Sequence, residues 1–427
     1  MSVPKSAASR RQFLQTSTAV AAAGSLAVSA LNPPAVHAAG SDILKVALIG
    51  CGGRGTGAAV NAMRADKGNR LTVLADIFKD QVDRSKETLK KQVGEQYDVK
   101  DENVFHGFDA YKQVMASDVD VVCLCTPPHF RPLHLKAAID AGKHVFCEKP
   151  VAVDGPGVRS VLETSKLAKE KNLNLVSGLC WRYDLGVKGT VEQIQNGAIG
   201  PVVAMHANYL TGTLWHRQRQ PAWSEMEYQI RNWLYYTWLS GDHNNEQHIH
   251  TLDKMLWLMN DEPPVACVGM GGRQVRISEE WGNVYDHFAV CYEWKSGVKG
   301  FAYCRQMGNC YSNNECYVLG TKGRANVLAN KIEGETEWRY KGDKPSMYDV
   351  EHVELFKAIR AGKPINNGAY MSYSTLMAIM GRMSAYTGQR VTWEQALNSV
   401  EDLSPKAYEW GEVERPAVAQ PGQTKLA

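Results

Sequence analysis

The stretch Lys45-Val-Ala-Leu-Ile-Gly-Cys-Gly-Gly-Arg-Gly55 decides the fold of this 427-residue chain. Its first half, Val46-Ala-Leu-Ile49, is an apolar run typical of a buried parallel strand. The glycines that follow, Gly50, Gly52 and Gly55, have G-x-G-x-x-G spacing. At this spacing the first glycine permits a tight turn, the second permits close approach of a diphosphate, and the third lets the next helix pack closely on the strand. The stretch therefore predicts the strand, turn and helix of a dinucleotide-binding domain.

A second apolar run, residues 70–75, ends in Asp76. An acid at the end of this strand suits the ribose hydroxyls of a dinucleotide and disfavours a 2′-phosphate, so it favours NAD over NADP. Arg54 and Lys79 are basic residues that could still meet a 2′-phosphate, which leaves NADP as the alternative. Strand and helix patterns then alternate as far as Cys147, and this alternation predicts an α/β fold with a doubly wound parallel sheet.

The first 38 residues have the features of a removable export signal. Arg10-Arg11 precedes Phe13-Leu14, no charged residue follows until Asp42, and Val36-His-Ala38 offers a small-residue cleavage site. This pattern resembles a twin-arginine signal, so we expect cleavage after Ala38, a periplasmic location and no stable membrane insertion. An uncleaved membrane anchor is the alternative, because the uncharged run is long enough to span a bilayer.

The predicted export constrains the cofactor. A nucleotide-binding protein sent to a compartment without a nicotinamide pool has to carry its cofactor with it and regenerate it within its own cycle. The formal net charge of the whole chain is +3, and no basic run suggests a nucleic-acid partner. The ten cysteines show no C-x-x-C spacing, which argues against a disulfide framework.

Two further motifs follow the parallel strands: Thr126-Pro-Pro128, and Ala141-Gly-Lys-His-Val-Phe-Cys-Glu-Lys-Pro150. With the glycine-rich turn they resemble the Gfo/Idh/MocA oxidoreductase family, over essentially the whole chain after the signal. The resemblance implies a Rossmann domain followed by a domain with a large open, mostly antiparallel sheet, which often forms a homo-oligomer interface. It also implies that Lys149 lies beside the nicotinamide and contacts the reacting hydroxyl. One departure is Arg131, where many relatives have histidine.

The predicted division of the chain is a signal at 1–38, an NAD-binding domain at 42–172, a substrate and oligomerisation domain at 173–345, and helices with an extended strap at 346–427. The candidates for cofactor binding are Gly50, Gly52, Gly53, Arg54, Gly55, Asp76, Thr126, Pro127, Glu148 and Lys149.

The second chemical motif is the segment from Gly241 to Asp253. On one helix, Glu246 and His250 would share a face, and the carboxylate would orient the imidazole for proton removal from a sugar hydroxyl. Relatives have aspartate at the acid position and use the histidine as acid and base, so Lys149, Glu246 and His250 are the catalytic candidates. A zinc site formed by His243, Glu246 and His250 is the rival interpretation, although we predict no metal.

Four residues are candidates for substrate binding beside His250. Arg182 and Tyr183 follow a strand in a region that contacts substrate in relatives, with a structural stacked pair as the alternative. Trp233 lies among the tryptophans, tyrosines and arginines of residues 215–238, a composition that suits sugars but also an aromatic core. Asp253 matches the family pattern after the histidine.

Three functions fit these observations. The first is an exported oxidoreductase that uses tightly held, internally recycled NAD on a sugar, polyol or glycoside hydroxyl. The second is a redox-neutral, NAD-dependent glycoside hydrolase that works by oxidation, elimination and reduction. The third is a non-catalytic carbohydrate-binding scaffold, against which the intact Lys149, Glu246 and His250 argue.

Overall fold

The computed structural model describes residues 43–427, so the predicted export signal lies outside the described residues. Within them, six strands form a parallel sheet with the order β3-β2-β1-β4-β5-β6. These strands are Leu44–Ile49 (β1), Asn69–Asp76 (β2), Val104–His106 (β3), Val121–Leu124 (β4), His144–Cys147 (β5) and Leu175–Ser177 (β6). The helices between them are Gly53–Ala65 (α1), Lys79–Val93 (α2), Ala110–Ala116 (α3), Arg131–Asp140 (α4) and Gly155–Glu170 (α5).

The central strands of this sheet are apolar because helices cover both of their faces. β4 is buried along its whole length, and β1 is buried at all positions except Lys45. The predicted doubly wound parallel sheet is confirmed. The predicted domain boundary at residue 172 falls too early, because β6 hydrogen-bonds to β5 and completes the parallel sheet.

A nine-stranded sheet forms the second layer of the described chain, in the order β14-β13-β12-β11-β7-β10-β9-β8-β15. Its strands are Val202–Thr211 (β7), Ala266–Gly272 (β8), His287–Glu293 (β9), Lys299–Gln306 (β10), Cys316–Gly320 (β11), Gly323–Asn326 (β12), Lys331–Gly334 (β13), Trp338–Arg339 (β14) and Val391–Thr392 (β15). Its pairs are antiparallel except β7 with β10, which are parallel. The predicted large, mostly antiparallel sheet is therefore confirmed.

The remaining helices cover one face of this second sheet or return to the first domain. They are Leu185–Gln195 (α6), Glu225–Arg231 (α7), Thr237–Ser240 (α8), His243–Glu246 (α9), Ile249–Leu258 (α10), Met347–Ala361 (α11), Gly368–Thr387 (α12) and Trp393–Leu397 (α13). α11 returns to the Rossmann helix α1, where Asn61 donates to Asp349 at 2.6 Å and Arg360 pairs with Asp66 at 2.9 Å. Within residues 43–427, no helix combines the length and apolar character needed to cross a bilayer.

The opposite face of the second sheet carries apolar side chains that face away from the core. The strand registers place five of them on this one face. We call Val268, Met270, Phe301, Tyr303 and Leu319 the outer sheet face. Met270 is 71% exposed and Leu319 is 51% exposed. Exposed apolar side chains clustered in this way are typical of an interaction surface.

The glycine-rich turn and α1 approach each other very closely. A Cβ atom on Gly55 would lie 1.8 Å from the carbonyl oxygen of Gly50, whereas one on Gly53 would meet nothing within 4 Å. We expect Gly55→Ala to destabilise the protein by roughly 3 kcal/mol or more, because backbone would have to move to relieve the overlap. Gly53→Ala is the matched control and should change stability by less than about 0.5 kcal/mol.

Urea unfolding of both variants without nucleotide measures this difference. Equal unfolding midpoints for the two variants would contradict the close approach of α1 to β1.

Candidate active site

A cavity of about 390 Å³ opens where the strands of the parallel sheet end. Its lining contains most of the residues predicted to bind the cofactor: Gly50, Gly52, Gly53, Arg54, Gly55, Asp76, Thr126 and Pro127. The carboxyl ends of parallel strands are where open α/β sheets bind ligands. The structure therefore brings these residues together at the place where a dinucleotide is expected.

The glycine-rich turn has the conformation that its sequence predicts. Gly50 has a φ of +98°, and a Cβ atom there would lie 2.6 Å from the carbonyl carbon of Cys125. Gly52 faces open space, since a Cβ atom on it would meet nothing within 4 Å. The turn leads directly into the N-terminus of α1, whose free N–H groups attract phosphate. These features fit the diphosphate of NAD.

Asp76 lies at the rim of this cavity and is held by the backbone on two sides. Its carboxylate accepts hydrogen bonds from the N–H of Cys51 at 2.6 Å and the N–H of Phe78 at 2.9 Å. Burial raises the pKa of Asp76 to about 6, although the two backbone N–H groups oppose this shift. The carboxylate is thus fixed in place to accept hydrogen bonds from ribose hydroxyls.

Arg54 lines the cavity, but its guanidinium is already paired with two carboxylates. It donates to Glu148 at 2.5 Å and to Glu351 of α11 at 2.9 Å, and its plane lies 4.6 Å from the ring centre of Tyr348. Burial, followed by the charge of Glu148, raises the pKa of Glu351 well above its usual range. Arg54 therefore joins the glycine-rich turn to the Glu-Lys-Pro motif, and its predicted contact with a phosphate stays a prediction.

Lys149 forms an ion pair with Glu246, a catalytic candidate from the second domain. Its ammonium donates to the Glu246 carbonyl oxygen at 2.6 Å and to Glu246 Oε1 at 3.0 Å. Only 12% of the lysine side chain and 13% of the glutamate side chain are exposed. Arg131, the departure from the family pattern, is buried and donates to the Pro150 carbonyl oxygen beside this pair. Of the residues that the structure describes, those lining the cavity do not include Lys149.

The predicted pair of Glu246 and His250 on one helix is wrong. α9 ends at Glu246 and α10 begins at Ile249. Between them, the N–H of His248 donates to the carbonyl oxygen of His243 at 3.0 Å, five residues back. A turn of this width rotates Glu246 relative to His250, and the carboxylate binds Lys149 instead.

His250 is buried in a positively charged environment. Its ring stacks on Tyr209 with the ring centres 6.3 Å apart, and its buried Nδ1 has no hydrogen-bond partner among the described residues. Burial and then the charges of Lys149 and Lys254 lower the pKa of His250 well below its usual range. The imidazole is therefore neutral at physiological pH.

Lys254 is a residue that the sequence analysis missed. Its side chain is fully buried, and its ammonium donates to the carbonyl oxygen of His250 at 2.8 Å and lies 4.4 Å from the ring centre of Trp181. Burial lowers the pKa of Lys254 to about 8. The sequence feature that could have identified it is a lysine one helical turn after His250, within the otherwise mostly apolar α10.

The structure gives three of the predicted substrate-binding residues a structural role. Arg182 binds Asp253 at 2.8 Å and Asp261 at 2.6 Å. Its guanidinium also lies 3.8 Å from the ring centre of Tyr370. Asp253 is almost fully buried and also accepts from the Ser374 hydroxyl. Both side chains therefore join separate parts of the fold, and their predicted contact with the substrate stays a prediction.

Tyr183 also has a structural contact, and its predicted role in substrate binding stays a prediction. Its hydroxyl donates to Asn367 Oδ1 at 2.8 Å, and burial raises the pKa of this tyrosine above its usual range. The pair of Arg182 and Tyr183 was predicted from its position after a strand. That strand is the edge strand β6, and the residues after it face α10, α12 and the turn before α12.

Trp233 lies at the nucleotide cavity, and its predicted contact with the substrate stays a prediction. With Trp215, Arg217 and Arg231 it lines the same cavity as the glycine-rich turn. Arg231 donates to Asp80 at 3.0 Å, and its guanidinium lies 3.9 Å from the ring centre of Phe78. The predicted sugar-binding segment therefore covers the nucleotide cavity from the side of the second domain.

The rival zinc interpretation required His243, Glu246 and His250 to share a helical face. The interruption between α9 and α10 separates them, and Nδ1 of His243 is bonded to Asp242 at 2.9 Å. Among residues 43–427, no group of three or more His, Cys, Asp and Glu side chains is placed to hold a metal ion.

NAD binding should depend on pH through Asp76. As the pH falls below about 6, the carboxyl becomes protonated and loses acceptor capacity, so we expect the Kd for NAD to rise between about pH 7.5 and about pH 5. Asp76→Asn, which is neutral throughout, should bind more weakly at the higher pH and lose this pH dependence. Calorimetric titration of nucleotide-free protein measures both, and a Kd of the unaltered protein that is constant over this range would contradict the assignment.

Comparison with known proteins agrees with this geometry. Residues 44–179 match a family model described as an oxidoreductase family with an NAD-binding Rossmann fold, and residues 187–326 match the GFO/IDH/MocA C-terminal domain. The first match ends two residues after β6, in agreement with the corrected domain boundary.

Several relatives have similar sequences. A myo-inositol 2-dehydrogenase from Thermotoga maritima is 27% identical over 318 residues, which cover 74% of this chain and 84% of that protein. An uncharacterized oxidoreductase from Streptococcus pneumoniae is 28% identical over 59% of this chain and 66% of its own length. A 2,7-anhydro-N-acetylneuraminate hydratase from Escherichia coli is 27% identical over 51% of this chain, and the match spans only 53% of that protein.

A solved structure has the same fold. The aldose-aldose oxidoreductase from Caulobacter crescentus, in complex with glycerol, superimposes with a TM-score of 0.64 at 20% identity, over 82% of this chain and 99% of that one. With both domains matched and the Rossmann cavity in place, the chain belongs to the Gfo/Idh/MocA family of oxidoreductases and is an NAD-binding member of it.

Proposed function

We propose that this protein is an exported oxidoreductase that acts on a hydroxyl of a sugar, polyol or glycoside and keeps its NAD through the catalytic cycle, because the hydride taken from one carbohydrate is passed on to a second carbohydrate substrate. The observation that carries the proposal is the meeting of Lys149 with Glu246 next to the buried, neutral His250. Two of the relatives compared above are named as a myo-inositol 2-dehydrogenase and a 2,7-anhydro-N-acetylneuraminate hydratase. A small carbohydrate substrate is the class that this chemistry and these relatives support.

Lys149, His250 and Glu246 have different roles in acid–base catalysis. The Lys149 ammonium is a hydrogen-bond donor that can hold a substrate oxygen and stabilise negative charge on it. We assign the proton acceptor's role to His250, which burial and neighbouring cations keep unprotonated. The same lowering of its pKa weakens it as a base, so proton removal depends on Lys149 stabilising the negative charge on the substrate oxygen. Glu246 fixes the lysine by accepting from it twice. When bound, NAD would supply a hydride acceptor beside these groups.

Export and retention of the cofactor support each other. The twin-arginine pattern at Arg10-Arg11 addresses a folded protein to the periplasm. The cavity for NAD has walls from both domains, since Trp215 and Trp233 of the second domain line it together with the glycine-rich turn. A cofactor held by both domains suits a compartment in which it cannot be replaced.

One observation favours a redox-neutral reaction as the second candidate. The relative named 2,7-anhydro-N-acetylneuraminate hydratase has a name that denotes addition of water, which is neither oxidation nor reduction overall. A glycoside-processing reaction that oxidises and then restores the same hydroxyl would use Lys149 and His250 in the same positions and would also return NAD to its starting state.

Purification without added nucleotide tests the proposed function. Denaturing the purified protein should release near-stoichiometric NAD or NADH. Without added cofactor, the intact protein should turn over a pair of sugars that serve as hydride donor and hydride acceptor, or, in the redox-neutral reaction, an aryl glycoside alone. Lys149→Met should keep the nucleotide but lose turnover by about 10²- to 10⁴-fold, because the acid–base step loses its donor. Lys136→Met is the matched control, since Lys136 forms an exposed surface pair with Asp140.

Cofactor retention and the catalytic role of Lys149 can be refuted independently. Protein that releases no nucleotide and rebinds NAD weakly would refute cofactor retention. Equal turnover by Lys149→Met and Lys136→Met would refute the catalytic assignment.

We also propose that the protein is a homo-oligomer assembled through the outer sheet face. This face exposes Met270 and Leu319, whose burial against a second copy removes apolar surface from water. Light scattering should give a mass that is a multiple of the chain mass, and Met270→Arg with Leu319→Arg should reduce it. Ile277→Arg changes an exposed apolar residue elsewhere and should leave the mass unchanged. A monomeric unaltered protein would contradict the proposal.

A further inference from the structure

The C-terminal strap, residues 399–427, is attached to the Rossmann domain at its beginning. The backbone N–H of Leu403 donates to Asp154 at 3.1 Å, ahead of the N-terminus of α5. The hydroxyl of Tyr408 is hydrogen-bonded to Nε2 of His129 at 2.7 Å. His129 lies beside the Thr-Pro turn, and burial lowers its pKa to about 4, so it is neutral and can keep this bond at physiological pH.

The later part of the strap is attached to the second domain. The carbonyl oxygen of Gly411 accepts from Met226 N–H at 3.0 Å, and Arg415 pairs with the buried Glu225 at 2.7 Å. Further on, the Ala419 carbonyl oxygen accepts from the Tyr285 hydroxyl at 2.9 Å. The strap therefore links the two domains on the side where the NAD cavity lies between them.

Trp410 lies between these two attachments, against the wall of the cavity. Its ring stacks on Phe78 with centres 5.6 Å apart and planes at 25°, and it contacts Phe108 at 4.8 Å. Phe78 and Phe108 both line the cavity. Trp410 is 47% exposed and, among the described residues, is not part of the lining, so it supports the wall from outside.

This wall belongs to the adenosine end of the cavity. Phe78 follows two residues after Asp76, and its backbone N–H fixes the carboxylate that faces the ribose. The same ring contacts the guanidinium of Arg231 from the second domain at 3.9 Å. Phe78 is therefore held by the strap and by α7 together, and displacement of either would loosen the wall at this end.

We propose that Trp410 is a positioning residue for cofactor retention: it holds the wall formed by Phe78 and Phe108 closed, so that NAD leaves only after the strap undocks. The inference rests on the proposed retention of NAD and gives it a physical cause. Trp410 acts through the wall and not through the reacting atoms. Its replacement should therefore change the rate of cofactor release while the substrate-reacting groups stay in place.

The rate at which bound NADH leaves the full-length protein tests this role. The protein is loaded with NADH, excess NAD is added, and the loss of bound NADH fluorescence is followed. We expect release from Trp410→Ala to be about tenfold faster than from the unaltered protein, because two ring contacts are lost. Trp410→Phe, which keeps an aromatic ring, should restore slow release.

Two further variants separate this role from general stability. Arg415→Gln loosens the second attachment without touching the aromatic wall, so it should accelerate release by a smaller factor. Trp338→Ala removes an indole from β14, remote in the sheet order from the cavity, and should leave release unchanged. Urea unfolding of Trp410→Ala and Trp338→Ala should give similar midpoints.

The outcomes distinguish this inference from the proposed function. NADH release from Trp410→Ala at the rate of the unaltered protein would overturn the role of Trp410 and leave the proposed function standing. Purified protein without nucleotide would refute retention in the cell, but reloaded protein would still test Trp410. Equal acceleration in Trp338→Ala and Trp410→Ala would show a general loss of stability and would overturn the positioning role.

Discussion

The contact on which the active site depends is the approach of helix α1 to strand β1 at the glycine-rich turn. No side chain fits between Gly55 and the carbonyl oxygen of Gly50. This approach sets the direction of the N-terminus of α1 and brings Cys51 within 2.6 Å of Asp76. A wider separation would move the free N–H groups away from the carboxylate that faces the ribose. The diphosphate and ribose sites are therefore fixed by one steric constraint.

Arg54 extends this constraint to the catalytic residues. Its guanidinium bonds to Glu148, which precedes Lys149, and to Glu351 on α11. The glycine-rich turn, the Glu-Lys-Pro motif and a helix far along the chain are thus one hydrogen-bonded unit. Removing one partner of a buried ion pair leaves an uncompensated charge. For this reason the position of Lys149 depends on Arg54 and Glu351, which do not bond to its ammonium.

The interruption between α9 and α10 determines the electrostatics of the site. In an unbroken helix, Glu246 would face His250 and favour the protonated imidazole. The wider turn directs the carboxylate to Lys149 and leaves the histidine near cations, including the buried Lys254. The result is a fixed ammonium beside a neutral base. This division suits the removal of a proton from a hydroxyl.

The sequence by itself determined the parallel sheet, the roles of Gly50 and Gly55, and the position of Asp76 at a strand end. These features follow from local patterns: apolar periodicity, glycine spacing and the residue that ends a strand. Only the tertiary structure decided which distant side chains meet. Arg182 forms an ion pair with Asp253, 71 residues away, and Trp233 lines the nucleotide cavity. Such pairings depend on how separate elements pack, and local periodicity carries no information about partners far along the chain.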